Sequence, residues 1–471
     1  MSISTRSEKL KYFIFLLLIF LSRLPFLSSG YGLDGDSWSV AISANLLHDS
    51  HHYVPSRLPG YPVHEFLCAV IAPAGYFGLN LVSALFSTLA VFFFMLILRS
   101  LKFKSVFLAA TAFAFVPAFY IHSTTTIDYV VSLAFILAAL YYLLKDFLPL
   151  AGLCLGLAIG TRITAGAMLI PFIILLVKND GFEMNLKRIV KISLPAILTG
   201  AAFYFPLYRM YGSSFFTYYE VPYPSIPKVL YKFSIEVWGI VGVLGIFLST
   251  VIFFLPAGSG PKKFLFPRSI NERHVIAWLV AIDLYIIAFL RLPMEAGYLL
   301  PIIPFVIMLF GKYLYEGAFA FFCCMLILST LSCTISPVDR YDAASPSAAV
   351  KKFHAGGEEL MLDFLHGPVF SYQSRRENGI AFVNELLKST DTVTVKSVIV
   401  CGRWYNQMIV QSGDTSKLKV KIRDYISEPE ALYFYAKGFV IYYLPKQEYY
   451  NKVMRNVDLD IYRAVPYLNG H

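Results

Sequence analysis

Asp34-Gly35-Asp36 sets two carboxylates one residue apart just after the first long apolar run of the chain, and Arg57-Leu58-Pro59-Gly60-Tyr61-Pro62 follows before the second. Two carboxylates at that spacing can share a divalent cation, or divide the work of a base that takes a proton and a group that orients it. A guanidinium held in a turn by prolines and a glycine can grip phosphate oxygens with two parallel N–H groups. The plainer alternatives are a helix N-cap and solvated turn for Asp-Gly-Asp-Ser, and an interfacial snorkelling side chain for Arg57.

More ionisable residues fall at the ends of apolar runs. Asp128 follows Thr124-Thr125-Thr126-Ile127, Arg162 closes Gly160-Thr161-Arg162, and Glu295 stands in Arg291-Leu292-Pro293-Met294-Glu295-Ala296-Gly297-Tyr298. Ionisable groups at membrane depth are costly and face a cavity or a partner. Asp283, well inside an apolar run, either lines a cavity or pairs structurally. His48, His51, His52 and His64 surround the first loop, but the adjacent rings of His51 and His52 do not easily reach one metal ion. The stretch Tyr208 to Tyr223 is aromatic and either stacks on sugar rings or forms an interfacial belt.

The elements that position these residues are membrane helices. The 471 residues are 57% hydrophobic and 15% charged, with a mean hydropathy of +0.62, well above the apolar share of a soluble chain. About 20 apolar residues cross the hydrocarbon layer as a helix. Spans are expected near 12–29, 78–98, 105–121, 127–144, 147–161, 163–177, 189–208, 237–256, 274–290, 298–311 and 316–335, about eleven in all, with those on either side of Arg162 short and broken or tilted. The runs are continuously apolar, which argues against a membrane β-barrel.

Basic clusters at Arg6–Lys11, Arg99–Lys104, Lys178–Lys191 and Lys262–Arg273 fall on one side of this arrangement, which places the N-terminus in the cytoplasm. The loop at 30–77, the aromatic loop and everything after 336 are then extracytoplasmic. The first span serves as an anchor rather than as a cleaved signal peptide. The net charge of +10 follows from this topology and from lipid headgroups, not from nucleic acid. Five of the six cysteines lie in or beside spans, so Cys401 has no disulfide partner in the tail. Two short helices, Ser39–Leu47 and Val63–Ala72, are expected in the first loop.

Residues 1–336 therefore read as a membrane domain and 337–471 as a small extracytoplasmic α/β or α+β domain. In the latter, helices are expected at 358–365, 380–387 and 447–457, and strands at 392–400, 418–422 and 438–443.

The acidic pair, the Arg-Leu-Pro-Gly-Tyr-Pro turn, the stretch Ala151 to Arg162 and the stretch Glu295 to Pro304 together resemble the GT-C superfamily of integral membrane glycosyltransferases. The likeness is to the branch of protein O-mannosyltransferases and lipid A aminoarabinose transferases, and covers roughly residues 10–335. It implies an all-α polytopic fold and transfer of a sugar from a polyprenyl-phosphate carrier to a glycan, lipid or protein acceptor on the outer or luminal face. It also implies Asp36 as the main catalytic carboxylate with Asp34 as its partner, and Arg57 and Arg162 on the carrier phosphate. Asp128, Glu295, Tyr61 and Tyr298 join the substrate site, and a divalent cation on Asp34 and Asp36 is a possible cofactor. Many relatives have Asp-Glu and an aromatic residue where this chain has Asp36-Ser37-Trp38, which leaves metal use and the acid–base roles open. A transporter or flippase, or a polymerase of lipid-linked glycans, is the alternative. A transporter predicts two related halves, and no such internal symmetry is evident.

Overall fold

A computed structural model describes residues 6–216, 223–254, 272–337, 350–355, 358–390, 393–413, 415–443 and 462–464. Its first helix, α1 (Arg6–Arg23), ends in a 3-10 turn at Leu24–Phe26. The loop at 30–77 carries the two expected helices, α2 (Gly35–Ser50) and α3 (Pro62–Val70), before α4 (Gly75–Ser100).

The run at 105–121 is not one span but two helices, α5 (Val106–Ala114) and α6 (Pro117–His122). Pro117 has no N–H to donate and its ring clashes with the preceding turn, so the helix breaks there. Next come α7 (Tyr129–Leu144) and α8 (Leu148–Thr161). After Arg162 the chain forms a 3-10 helix, Ile163–Met168, and then the short α9 (Leu169–Leu176). The remaining helices of this part are α10 (Phe182–Tyr211), α11 (Ile226–Phe233), α12 (Ile235–Phe254), α13 (Glu272–Arg291), α14 (Ile302–Tyr313) and α15 (Glu316–Leu331).

Among the described residues, four helical stretches are long and apolar enough to cross a bilayer: Ala72–Ser100, Phe182–Phe216, Ile235–Phe254 and Glu272–Arg291. Five shorter apolar stretches accompany them. A sixteen-residue helix such as α7 rises about 24 Å, short of a hydrocarbon layer of about 30 Å. The chain is thus a mostly helical, polytopic membrane protein, and the described residues show four of the expected spans at full length. The last expected span also ends early, at Leu331, because Thr334 already belongs to a strand.

Within the helical part, α7 packs between α4 and α8, and α8 packs on α10. A Cβ at Gly152 would lie 2.3 Å from the Ile192 carbonyl oxygen, and one at Gly156 would lie 2.9 Å from that of Ala196. These glycines let the α8 and α10 backbones touch, as small residues do between membrane helices. The contact fixes the end of α8 and with it Arg162.

The tail holds two sheets. Strands β1 (Thr334–Pro337), β2 (Val350–Ala355) and β3 (Glu358–Asp363) form an antiparallel sheet in the order β1-β3-β2. The helix expected at 358–365 is therefore a strand. It has an antiparallel partner on each side, and Met361 and Asp363 are buried two residues apart, the period of a strand rather than of a helix.

The long helix α16 (Pro368–Thr390) contains the one expected at 380–387. It leads to β4 (Ser397–Val400), α17 (Tyr405–Ser412), β5 (Lys421–Arg423), α18 (Glu428–Ala436), β6 (Val440–Tyr443) and β7 (Tyr462–Ala464). These strands make a parallel sheet ordered β5-β4-β6-β7. Strands β4, β5 and β6 lie within or overlap the three expected, in shorter form. The helix expected at 447–457 lies outside the described residues. The tail docks on the membrane helices, where Val369 of α16 packs with Phe26 and Tyr120.

Candidate active site

The acidic loop is tied down from two sides. Asn80 of α4, fully buried, donates to the carbonyls of Leu27 and Gly30 at 2.8 Å each and accepts the Thr126 hydroxyl at 2.8 Å. The Thr126 N–H in turn donates to the Tyr31 carbonyl at 2.8 Å. The segment before Asp34 is thereby locked to the segment before Asp128.

From the tail, Arg376 of α16 donates to the carbonyls of Phe26, at 3.2 Å, and Gly30. The Leu33 N–H donates to the Tyr372 hydroxyl at 3.1 Å, and Ser29 donates to Glu377 at 2.9 Å. Burial lowers the Arg376 guanidinium to about 10.

The turn carrying Arg57 is organised by Glu65. This buried carboxylate accepts the Tyr53 hydroxyl, the Ser56 N–H at 2.8 Å and the Tyr61 N–H at 3.3 Å. A buried carboxylate is tolerated when its lone pairs are filled in this way.

These anchors assemble a row of alternating charges. Arg57 contacts Asp36 at 3.0 Å and Asp128 at 3.4 Å, and Asp128 contacts Arg162 at 2.5 Å. Asp128 is wholly buried, whereas the Asp36 side chain is 43% exposed and forms the accessible end.

Tyrosines surround the row. The Arg57 guanidinium lies 4.3 Å from the Tyr61 ring centre and its Nε donates to the Tyr61 hydroxyl at 3.1 Å. Arg162 lies 4.1 Å from the ring of Tyr129 and 4.5 Å from that of Tyr298, an arrangement that stabilises a desolvated cation. A Cβ at Gly297 would fall 2.4 Å from the Tyr129 ring, so the Glu-Ala-Gly-Tyr stretch requires glycine where that ring sits.

Asp34 and Glu295 line a cavity of about 640 Å³ between the membrane helices and the tail, together with Lys232, Glu236, Tyr372 and Trp404. Lys232 and Glu236 pair at 3.2 Å. Withdrawal from water raises Asp34 to about 6. Asp36 and Glu236 add to the shift, and Lys232 and Arg57 oppose it. Glu295 is raised as well, first by burial and then by Asp34.

Asp36, Arg57, Tyr61, Asp128, Arg162 and Tyr298 therefore form one contiguous cluster, and Asp34 and Glu295 face the neighbouring cavity. The sequence reading missed Asn80, Glu65, Lys232, Glu236, His122 and Tyr372. Asn80, a lone amide in an apolar helix, and His122, six residues before Asp128, were visible signals. Tyr372 carries no such mark.

Other expected residues lie elsewhere. His48, His51 and His52 are exposed whereas His64 is buried beside Cys68, and Asp283 is exposed on α13. Phe215 and Phe216 pack on Tyr208, while residues 217–222 of that aromatic loop lie outside the described residues. Among the described residues, no group of three or more His, Cys, Asp or Glu is placed to hold a metal ion. Of the two carboxylates expected to bind a cation, Asp36 contacts Arg57, and Asp34 lies in the field of Lys232.

No protein-family model and no curated protein matches the chain. Among solved structures it is similar to apo ArnT from Cupriavidus metallidurans, at 14% identity over 67% of this chain and 59% of that one, with a TM-score of 0.43. For ArnT bound to undecaprenyl phosphate the values are 16%, 68%, 60% and 0.43. It is also similar to the Archaeoglobus fulgidus oligosaccharyltransferase tethered to an acceptor peptide, at 11% identity over 85% of this chain and 63% of that one, with a TM-score of 0.42. The chain spans about three fifths of the length of these proteins.

Proposed function

We propose that this chain is a GT-C-type glycosyltransferase that moves a sugar from a polyprenyl-phosphate carrier to an acceptor hydroxyl at the extracytoplasmic membrane surface. The observation that carries this reading is the row Asp36–Arg57–Asp128–Arg162 beside a cavity lined by Asp34. In the resting row two carboxylates balance two guanidiniums. A carrier phosphate entering at the exposed end displaces Asp36 from Arg57, and Asp128 keeps both arginines in place.

The acceptor oxygen then bonds to the anomeric carbon while the bond from that carbon to the phosphate oxygen breaks. The electron pair stays with the phosphate, where Arg57 and Arg162 stabilise the charge, so no strong general acid is needed. The acceptor proton passes to a carboxylate. Asp36, released from Arg57, and Asp34, with its raised affinity for a proton, are the pair that share this work. One displacement inverts the anomeric centre.

The division into a membrane domain and an extracytoplasmic tail, with the N-terminus inside, belongs to the same reading. The test is sugar transfer from undecaprenyl-phosphate-linked sugars by purified protein. Asp36→Asn and Arg57→Ala should each lower the rate by about 10²–10⁴-fold with the fold intact. Full activity of both variants refutes the assignment.

A further inference from the structure

Two residues of the cavity wall each carry a buried polar atom that the described residues leave unsatisfied. Nδ1 of His122, at the end of α6, and the hydroxyl oxygen of Ser336, in β1, are buried without a hydrogen-bond partner among the described residues. The two residues are 7% and 4% exposed, and both line the cavity of about 640 Å³. Buried polar groups in native proteins are almost always paired, so an orphan in a cavity wall calls for a partner from outside the chain, such as a bound ligand or water.

The surrounding wall decides what kind of ligand that is. Ala118, Ile121 and Ala296 are apolar neighbours in the same lining, and Tyr372 and Trp404 add aromatic surface. A ring with hydroxyls at its edge and C–H groups on its faces fits both kinds of wall. Such a ring is a sugar.

The position relative to the charge row identifies which sugar. The His122 ring centre lies 5.0 Å from that of Tyr129, and Tyr129 lies 4.1 Å from the Arg162 guanidinium. His122 is thus one aromatic ring away from a cation that would hold the carrier phosphate. A sugar joined directly to a phosphate at the exposed Asp36 end of the row would enter the cavity that Asp34 and His122 line, and a phosphate alone would leave that cavity unfilled.

We propose that His122 and Ser336 form the hydroxyl-recognition subsite for the transferred sugar, and so act in donor specificity. This rests on the glycosyltransferase reading and adds the tail, through Ser336, to donor recognition. A neutral imidazole serves here as both acceptor and donor of hydrogen bonds.

The test measures binding of two probes to the purified full chain in nanodiscs: undecaprenyl phosphate without a sugar, and a panel of undecaprenyl-phosphate-linked mannose, glucose and galactose. His122→Leu and Ser336→Ala should bind the sugar-free carrier as the wild type does. Each should lose about 5–100-fold in affinity for the preferred sugar-linked carrier, the range for leaving one buried hydroxyl unpaired. His122→Asn, which keeps a polar group at the site, should recover most of that loss.

Equal losses for the two probes, or no loss for either, overturn the subsite. Wild-type protein that binds both probes while the variants are unchanged overturns the subsite alone. Wild-type protein that binds neither probe overturns the glycosyltransferase reading and the subsite together.

Discussion

Removing the Asp128 carboxylate should destabilise the protein by about 3–5 kcal/mol, the usual cost of stranding one partner of a buried ion pair. The figure follows from the surroundings. Asp128 is wholly buried, 2.5 Å from Arg162 and 3.4 Å from Arg57. Unit charges about 4 Å apart attract by about 4 kcal/mol at an effective dielectric of about 20. Arg57 keeps Asp36 as a second partner, whereas Arg162, only 7% exposed, is left against tyrosine rings.

Most of the penalty therefore belongs to the Arg162 pair, and a double-mutant cycle isolates it. Asp128→Ala and Arg162→Met should each be strongly destabilising, and the double variant should fall short of their sum by about 2–3 kcal/mol. Equilibrium unfolding in mixed detergent, followed by the fluorescence of buried Trp38 and Trp278, measures all four corners. Additivity within about 0.5 kcal/mol would show that the two groups do not stabilise one another, and the pre-formed phosphate clamp would lose its basis.

The raised Asp34 predicts opposite pH trends for stability and activity. The folded state holds this proton more tightly than the unfolded chain, so the stabilising contribution is present below the ordinary carboxylate value near 4 and is lost as pH rises through about 6. Activity that needs the unprotonated carboxylate rises over the same window, and Asp34→Asn should flatten the stability profile. Arg376→Ala should lower kcat more than it raises KM, because Arg376 holds the Phe26 and Gly30 carbonyls behind the acidic loop. An equal drop in kcat for a distant α18 variant would make that effect unspecific. Single cysteines introduced beside Asp36, Glu295 and the tail should react with an impermeant maleimide from the extracytoplasmic side only. Labelling from inside at any of them removes the proposed orientation.

What could be read from the sequence was set by the range of the forces involved. Asp36, Arg57, Asp128 and Arg162 stood out because a charge beside an apolar run needs a partner, and the structure joins all four in one row. The loop helices were legible because Pro62 and the Asp34-Gly35-Asp36 stretch mark their starts. Hydropathy alone misjudged the run at 105–121, since Pro117 breaks a helix without making the segment less apolar. The strand at 358–363 was missed because its partners, β1 and β2, decide its state more than its own spacing does. Arg376 and Tyr372 read as ordinary residues of a polar tail; only the folded chain brings them to the first loop.

That last contact sets an order of events during synthesis. Arg376 bonds a carbonyl 350 positions earlier in the chain, so the ribosome finishes the acidic loop on the order of 20–70 s before its clamp, at about 5–20 residues per second. Through that interval a nascent chain already inserted in lipid carries its aspartates without the brace that aligns them. The geometry of the acidic loop is thus completed only when the tail docks, with Arg376 on the carbonyls of Phe26 and Gly30.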